Sequence, residues 1–382
     1  MDETSESSHR TSTIDNNINP IDPSEVRRIV SGQAVSDLTS CVKELIDNAL
    51  DAGAKSIQIR LHGRGFDAVE VCDDGTGIPA HCRALVAAKH ATSKLRKFDD
   101  LYSSKVTTLG FRGEALFCLA NISEELCVTT RCAGEMRAQK LFYKRDGSLD
   151  AKRTVSTART TGTTVMVSKL FHVLPVRRVD FQKRLKSQRA ALFKLLQGYA
   201  ILCVGTRFRV TDYYDTGAKK KKKTMLGQQQ KMEVKLNTQA SSSLDQTISS
   251  VLGSSFLRGL MKIEIDLSKC CPGLNDIMVD DLNDSENVSE DRARTGIFLK
   301  GLVSITSAGE NSKAAARDLQ YFSINGRPVE LPKISRTIAD VWKEYTDFSA
   351  GKKPSCIFQL TLPNNCFDGK IYFAFSLNLV LL

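Results

Sequence analysis

Glu44, Asn48 and Asp51 stand at spacing i, i+4, i+7 within the stretch Lys43–Gly53, and on a helix that spacing puts them on one face. An acid beside an amide can activate a water through the carboxylate and hold a divalent cation through the amide oxygen. The opposite stripe, Leu38, Val42, Leu45, Ile46 and Ala49, is apolar and expected to face a core. Taken alone, an acidic helix face is usually just solvated. What lifts this one above that background is the following segment, Asp73, Asp74, Gly75, Thr76, Gly77. Glycines let a ligand come close to the backbone, and one buried carboxylate there can accept a hydrogen bond from an exocyclic amine such as adenine presents. A plain Asp-Gly turn is the commoner meaning of such a segment, and its spacing from the acidic helix argues against that.

The elements that must position these groups follow from pattern. Asp22, Pro23 and Glu25 mark a helix start, and Gly32 can close that short helix. The acidic helix is expected from about residue 35 to 52, with Gly53 ending it. Residues 55–61 alternate with period two, and residues 68–72 form a second strand paired through a turn at Gly63 and Gly65, so that its end delivers Asp73. A helix near 80–89 precedes His90-Ala91-Thr92-Ser93-Lys94. Gly110 and Gly113 then precede an apolar helical run (Ala115, Leu116, Leu119, Ala120), and a glycine loop feeding a helix N-terminus can offer backbone N–H groups to phosphates. Strands fill 126–168 around a turn at Asp146-Gly147, with Thr163 opening the strand 163–167. Residues 174–181 lead into a long basic helix that runs to about Tyr199, and a strand covers 207–211.

Composition breaks at Lys219–Lys223, five consecutive lysines that repel one another and are expected in an exposed loop or linker. Beyond it, helix (239–262), strand (262–266), acidic loop (272–294), strands (296–303, 319–329), helix (333–345) and strand (356–360) predict a second, smaller mixed α/β unit. The 382 residues are enough for two domains with full cores, and the net charge of +11 leans toward a polyanionic partner such as nucleic acid. Eleven cysteines without a Cys-x-x-Cys pair suggest neither a zinc site nor a disulfide framework, and fit a reducing compartment. Residues 1–19 are polar, read as a disordered leader and carry no secretory signal; the apolar end of the chain is too short to span a membrane.

In one order, then, stand Glu44-x-x-x-Asn48, Asp73-x-Gly75-x-Gly77, His90–Lys94, Gly110–Leu116 and Thr161-Gly162-Thr163. Together they resemble the GHKL ATPases, and the block Thr108–Leu116 is similar to the MutL branch of mismatch repair proteins. Asn19–Asp22, Ser31–Gln33, Leu174–Arg178 and Asp318–Pro328 resemble the eukaryotic postmeiotic-segregation subgroup, the partner subunit in MutL-alpha. The resemblance covers roughly residues 19–368. It implies an α/β sandwich, a mixed sheet packed on helices, as an ATPase domain over 20–215, with 216–238 a basic linker or loop and 239–368 a transducer-like α/β domain. It implies ATP and Mg²⁺ as cofactors: Glu44 as general base, Asn48 as Mg²⁺ ligand, Asp73 on the adenine amine with Thr163 in support, Gly75 and Gly77 beside it, and Thr92, Ser93 and Lys94 at the nucleotide. Gly110, Phe111, Arg112, Gly113, Glu114, Ala115 and Leu116 would form a lid over the phosphates. The implied output is slow, nucleotide-driven dimerisation and clamping on DNA in the nucleus, with a second MutL-type subunit and a MutS-type mismatch recognition complex as partners and no membrane. Arg177, Arg178, Lys183 and Arg184 would suit phosphate contacts. A histidine kinase is disfavoured because no phosphoacceptor helix precedes the module, and a type II topoisomerase by the lid sequence.

Two departures from the family pattern carry expectations of their own. Asp74 stands where the family has Asn, which adds charge beside the site. The family continues past Asp368 to a Pro-x-Lys whose lysine reaches the γ-phosphate, whereas residues 369–382 form an apolar tail in which Lys370 lacks that setting. The tail is expected to be read-through or a truncated isoform, with hydrolysis impaired if it is real. The alternative function is therefore a non-catalytic fragment that binds ATP and DNA, and no nuclease activity is expected.

Overall fold

The computed structural model describes residues 20, 22–91, 113–215, 230–267, 297–305, 318–345 and 353–362. Two sheets organise them. The larger has eight strands in the order β5-β4-β3-β6-β2-β1-β7-β8, all neighbours antiparallel except β1 and β7. Its strands are β1 (Ser56–His62), β2 (Ala68–Asp73), β3 (Glu125–Arg131), β4 (Ala138–Tyr143), β5 (Val155–Thr157), β6 (Gly162–Ser168), β7 (Arg207–Asp215) and β8 (Gln230–Asn237). Helices α1 (Pro23–Ala34), α2 (Leu38–Asp51), α3 (Ala115–Ile122) and α4 (Pro175–Leu202) complete this unit. The mixed α/β sandwich expected from the sequence is what the chain forms.

Helix α2 starts at an Asp37 cap, whose carboxylate accepts from Ser40 N at 2.7 Å while Ser40 Oγ returns a contact to Asp37 N, an arrangement that contributes about 1 kcal/mol. Its apolar stripe is fully in the core with Ile57, Ile59 and Leu61 of β1, Phe117 and Leu119 of α3, and Leu192 and Leu196 of α4. Each Val, Leu or Ile buried in this way contributes about 1.5–3 kcal/mol. One buried residue of α2 is charged. Asp47, 1% exposed, accepts from Lys43 Nζ at 2.7 Å and from the Tyr199 hydroxyl of α4 at 2.6 Å. A second buried acid, Asp212 of β7, receives both Arg189 terminal nitrogens of α4, at 3.1 and 2.6 Å. These bonds fix the rotation of α4 against α2 and the sheet.

The smaller sheet orders β12-β11-β13-β10-β9, from β9 (Leu260–Asp266), β10 (Phe298–Ser304), β11 (Gln320–Ile324), β12 (Arg327–Val329) and β13 (Cys356–Thr361). With it are α5 (Leu244–Leu252), α6 (Ser254–Leu257) and α7 (Pro332–Tyr345). The end of α4 belongs to both units: Ile201 and Leu202 pack with Ile248 and Leu252 of α5, Tyr321 of β11 and Ile357 of β13. No helix among the described residues is long and apolar enough to cross a membrane.

Several elements differ from the sequence reading. The helix expected near 80–89 is a 3-10 turn over Ala80–Leu85, and the helix expected over 239–262 is α5 and α6, with β9 already begun at Leu260. Gly32 does not close α1, because its carbonyl accepts from the Arg177 guanidinium and the helix continues to Ala34. Residues 230–237, placed in a linker, are instead the edge strand β8, paired to β7 over 209–215 and tied down by Thr238, whose N donates to Phe208 O at 2.9 Å. An edge strand with Met232 and Val234 exposed has no clear inside and outside in its sequence, so it hides within a polar stretch. The lysine run lies outside the described residues.

Tyr199→Phe is expected to destabilise the fold by about 1–3 kcal/mol, the cost of leaving a buried charged acceptor short of a donor. Burial holds the Asp47 carboxyl above its ordinary value, with Lys43 and Tyr199 pulling the other way. A carboxyl raised on folding contributes stability that is full below its unfolded value and is lost as pH rises through the folded one. The variant's deficit in chemical denaturation should therefore be larger at pH 8 than at acid pH.

Candidate active site

Glu44, Asn48 and Asp51 occupy the half-buried edge of α2, opposite its buried stripe, as the helical spacing requires. Asp73 ends β2 and is 7% exposed. Its Oδ1 accepts from Gly75 N at 2.8 Å and Thr163 N at 3.1 Å, and its other oxygen takes no hydrogen bond from a described residue. Burial raises the Asp73 carboxyl above the usual range; the Gly75 and Thr163 N–H groups and Arg159 oppose the shift. The result is a fixed carboxylate with one oxygen held and one open to an outside donor.

The loop after β2 is locked to α2. Thr76 N donates to Ala52 O at 3.0 Å, which joins the segment carrying Asp73 to the helix carrying Glu44 and Asn48. Gly77 has φ 78°, and a Cβ there would stand 2.3 Å from Arg131 O, so only glycine fits. Behind it, Thr130 of β3 accepts from Ile78 N at 2.8 Å and lies 3.2 Å from Thr163 Oγ1. Arg159 donates to Asp73 O at 2.7 Å and to Thr164 Oγ1 at 3.1 Å. Thr130 and Arg159 thus hold the site's frame, and sequence reasoning did not single them out. Thr130 meets Thr163 through the pairing of β3 with β6, and Arg159 reaches Asp73 O from the loop before β6; neither meeting has a local spacing signature.

Asp74 does add charge beside the site, since it helps to raise the Asp73 carboxyl, but it has a structural role as well. Its Oδ1 accepts from Lys55 N and Ser56 N, both at 2.8 Å, and so anchors the start of β1. The amide oxygen of Asn could accept the same two bonds, which explains why the two residue types serve alike.

Thr92, Ser93, Lys94, Gly110, Phe111 and Arg112 lie outside the described residues. The two ends of that segment meet: Gly113, φ 62°, leaves room for a Cβ only 2.4 Å from Ala91 O, and His90 Nδ1 is 3.2 Å from Glu114 Oε1. Glu114 precedes α3, Ala115 begins it, and Leu116 packs against the main core. Ala91 and Gly113 are thus brought into contact across 21 intervening residues, with Glu114 and α3 beside them.

Two basic residues assigned to phosphate contacts have other work. Arg177 donates to Gly32 O and to Ser36 O, the latter at 2.7 Å. Arg178 donates to Leu170 O at 2.8 Å and Phe66 O at 2.9 Å, with its guanidinium 3.6 Å over the Phe66 ring. Both clamp α4 to its neighbours. Arg184 pairs with Asp180 at 2.9 Å on the surface.

Residues 35–164 match the family of histidine kinase-, DNA gyrase B- and HSP90-like ATPases, and residues 279–371 match the C-terminal domain of DNA mismatch repair proteins. DNA mismatch repair protein PMS1 of Saccharomyces cerevisiae is 36% identical over 353 residues, covering 92% of this chain and 37% of the yeast protein. The chain spans about a third of the length of the curated relatives it matches first. Among solved structures, the N-terminal domain of a DNA repair protein superposes with TM-score 0.69 at 33% identity, covering 89% of this chain and 87% of that one. The Aquifex aeolicus MutL ATPase domain complexed with ADP shares the fold, with TM-score 0.51 at 19% identity over 84% of this chain and 90% of that one.

Asp73→Asn is expected to weaken ADP binding about tenfold or more, since a hydrogen bond to a charged acceptor contributes about 1.5–3 kcal/mol. In the parent chain, affinity should fall as acid protonates the raised carboxyl, beginning at higher pH than for an ordinary Asp. The Asn variant should lose that pH dependence in titration calorimetry.

Proposed function

The chain belongs to the MutL family of DNA mismatch repair proteins, and from that membership we propose that it is the ATP-binding, slowly ATP-hydrolysing part of a mismatch repair complex. The observation that carries this reading is the Thr76–Ala52 bond, which holds Asp73 in fixed relation to the Glu44–Asn48 edge. Asp73 accepts the adenine amine through its open oxygen, with Thr163 and Thr130 behind it. Gly75 and Gly77 keep side chains away from the nucleotide. Glu44 takes a proton from the water that attacks the γ-phosphate, and ADP and phosphate leave.

Mg²⁺ suits the donor set. This ion keeps several waters and is commonly held by one or two protein groups together with substrate phosphates, so the single amide oxygen of Asn48 is a sufficient protein ligand. Bound there, it would neutralise charge on the phosphates. Thr92, Ser93, Lys94, Gly110, Phe111 and Arg112 reach over the phosphates from the Ala91–Gly113 contact, while Ala115 and Leu116, also assigned to the lid, are held in α3.

Closure of that lid converts nucleotide binding into pairing with a second MutL-type subunit, a switch rather than a fast turnover engine. The exposed apolar residues Val26, Ile29 and Val30 of α1 support such pairing, because they fall on one helix face. The paired subunits clamp DNA and answer to a MutS-type mismatch recognition complex in the nucleus. The shared end of α4 is the path by which lid closure reaches the second sheet. A second reading, nucleotide and DNA binding without turnover, is favoured by Lys370 standing outside a Pro-x-Lys setting.

Steady-state phosphate release separates the two. Glu44→Ala is expected to lower it by about 10²–10⁴-fold while ADP affinity is retained. Equal release from parent and variant would remove Glu44 from catalysis and leave the second reading standing.

A further inference from the structure

α1, the end of α3 and the turn after β4 enclose a cleft of about 310 Å³ lined by Arg27, Arg28, Asn121, Lys144, Arg145 and Asp146. Four of the six carry positive charge. Among the described residues Arg27, Lys144 and Arg145 form no side-chain ion pair, while Arg28 contacts Glu25 at 2.5 Å. The one acid is turned back on its own loop, with Asp146 Oδ1 accepting from Ser148 N at 2.9 Å and Ser148 Oγ at 2.6 Å. These bonds, with help from Lys144, hold its carboxyl below the usual range, so it stays a satisfied anion at neutral pH.

The cleft is built rather than a chance meeting of long side chains. Asn121, 5% exposed, donates from Nδ2 to Arg145 O at 3.2 Å and so fastens the turn to α3. Gly147 N donates to Lys144 O at 2.9 Å, which closes the turn beneath the two cations. Asn121 Oδ1 is buried without a hydrogen-bond partner among the described residues, and a buried acceptor of this kind is met by solvent. Asn121 lies six residues beyond Ala115 on α3, about 9 Å along the helix from the end that meets the lid segment. The cleft is thus a separate feature from the Asp73 pocket.

We propose that this cleft grips the phosphate backbone of duplex DNA. Arginine and lysine heads gathered at a concave surface match phosphodiester oxygens, and contacts of that kind position DNA without reading its sequence. The arginines that sequence reasoning favoured for this purpose, Arg177 and Arg178, are engaged with backbone carbonyls, whereas Arg27 and Arg145 of the cleft form no side-chain ion pair among the described residues. The inference rests on the reading of the chain as a DNA clamp and names where part of that grip lies.

The test is fluorescence anisotropy of a labelled duplex across a salt series, using the chain as it stands and an Arg27→Ala, Lys144→Ala, Arg145→Ala variant. The variant should bind at least tenfold more weakly, with a slope of log affinity against log salt shallower by about 2–3, roughly 0.9 for each phosphate contact removed. An Arg27→Lys, Arg145→Lys variant should keep most of the affinity, because charge rather than shape is at work. ADP binding without DNA should be unchanged in both, which also shows that the fold is intact. Parent binding with an unaltered slope in the alanine variant overturns the cleft assignment and leaves the clamp reading in place. A parent chain that binds no duplex overturns both, while the ATP reading stands on its own assay.

Discussion

A carboxylate shut in an apolar interior must be met by donors or the helix carrying it will move, and Asp47 is met from two directions. Lys43 reaches it from one turn earlier on α2, and Tyr199 reaches it from α4. Burial and then the neighbouring Asp47 charge raise the Tyr199 phenol well above its ordinary value, so it remains a donor throughout the physiological range. Asp47 sits between Glu44 and Asn48 in the chain and points the other way. The bond that satisfies it therefore fixes which edge of α2 is left for chemistry. Paired buried polar groups contribute modest net stability but penalise alternatives heavily, which makes this contact a determinant of helix rotation.

The same helix α4 links that contact to the second sheet. Gly198, next to Tyr199, lies against the Tyr321 ring of β11, and a Cβ there would be 2.9 Å from the ring. Ile201 and Leu202 then enter the core beneath α5. Arg327 of β12 is buried, and its field is shaped by Asp51 and Asp47 of α2. A change at the α2 edge thus has packed, continuous matter between it and the second unit. Continuity alone is a physical possibility of coupling, and the pairing of subunits on nucleotide binding is what would make use of it.

The site's frame is built chiefly from backbone groups. Asp73 is oriented by two peptide N–H donors, Asp74 receives two more, and Thr76 joins loop to helix through a peptide bond's own groups. Peptide groups have no rotamers, so the Asp73 and Asp74 carboxylates they hold are held rigidly.

Local chemistry made the acidic edge of α2, the strand pair ending at Asp73 and the glycine positions legible in the chain, because helical and strand periodicities and the absence of a Cβ act over a few residues. The order of elements in the smaller sheet was legible for the same reason. What only the tertiary structure decided involves partners distant in sequence. Arg177 and Arg178 looked like free surface charge until carbonyls of Gly32, Ser36, Leu170 and Phe66 came within reach. Edge strand β8 gained its identity from pairing with β7, and Asp74 gained its role from two N–H groups at the start of β1. A hydrogen-bond partner or a buried face is a property of two segments together, so no reading of one segment could supply it. Glu44 and Asn48 were named by spacing, but their standing toward Asp73 was decided by the packing of α2 on the sheet together with the bond between Thr76 and Ala52.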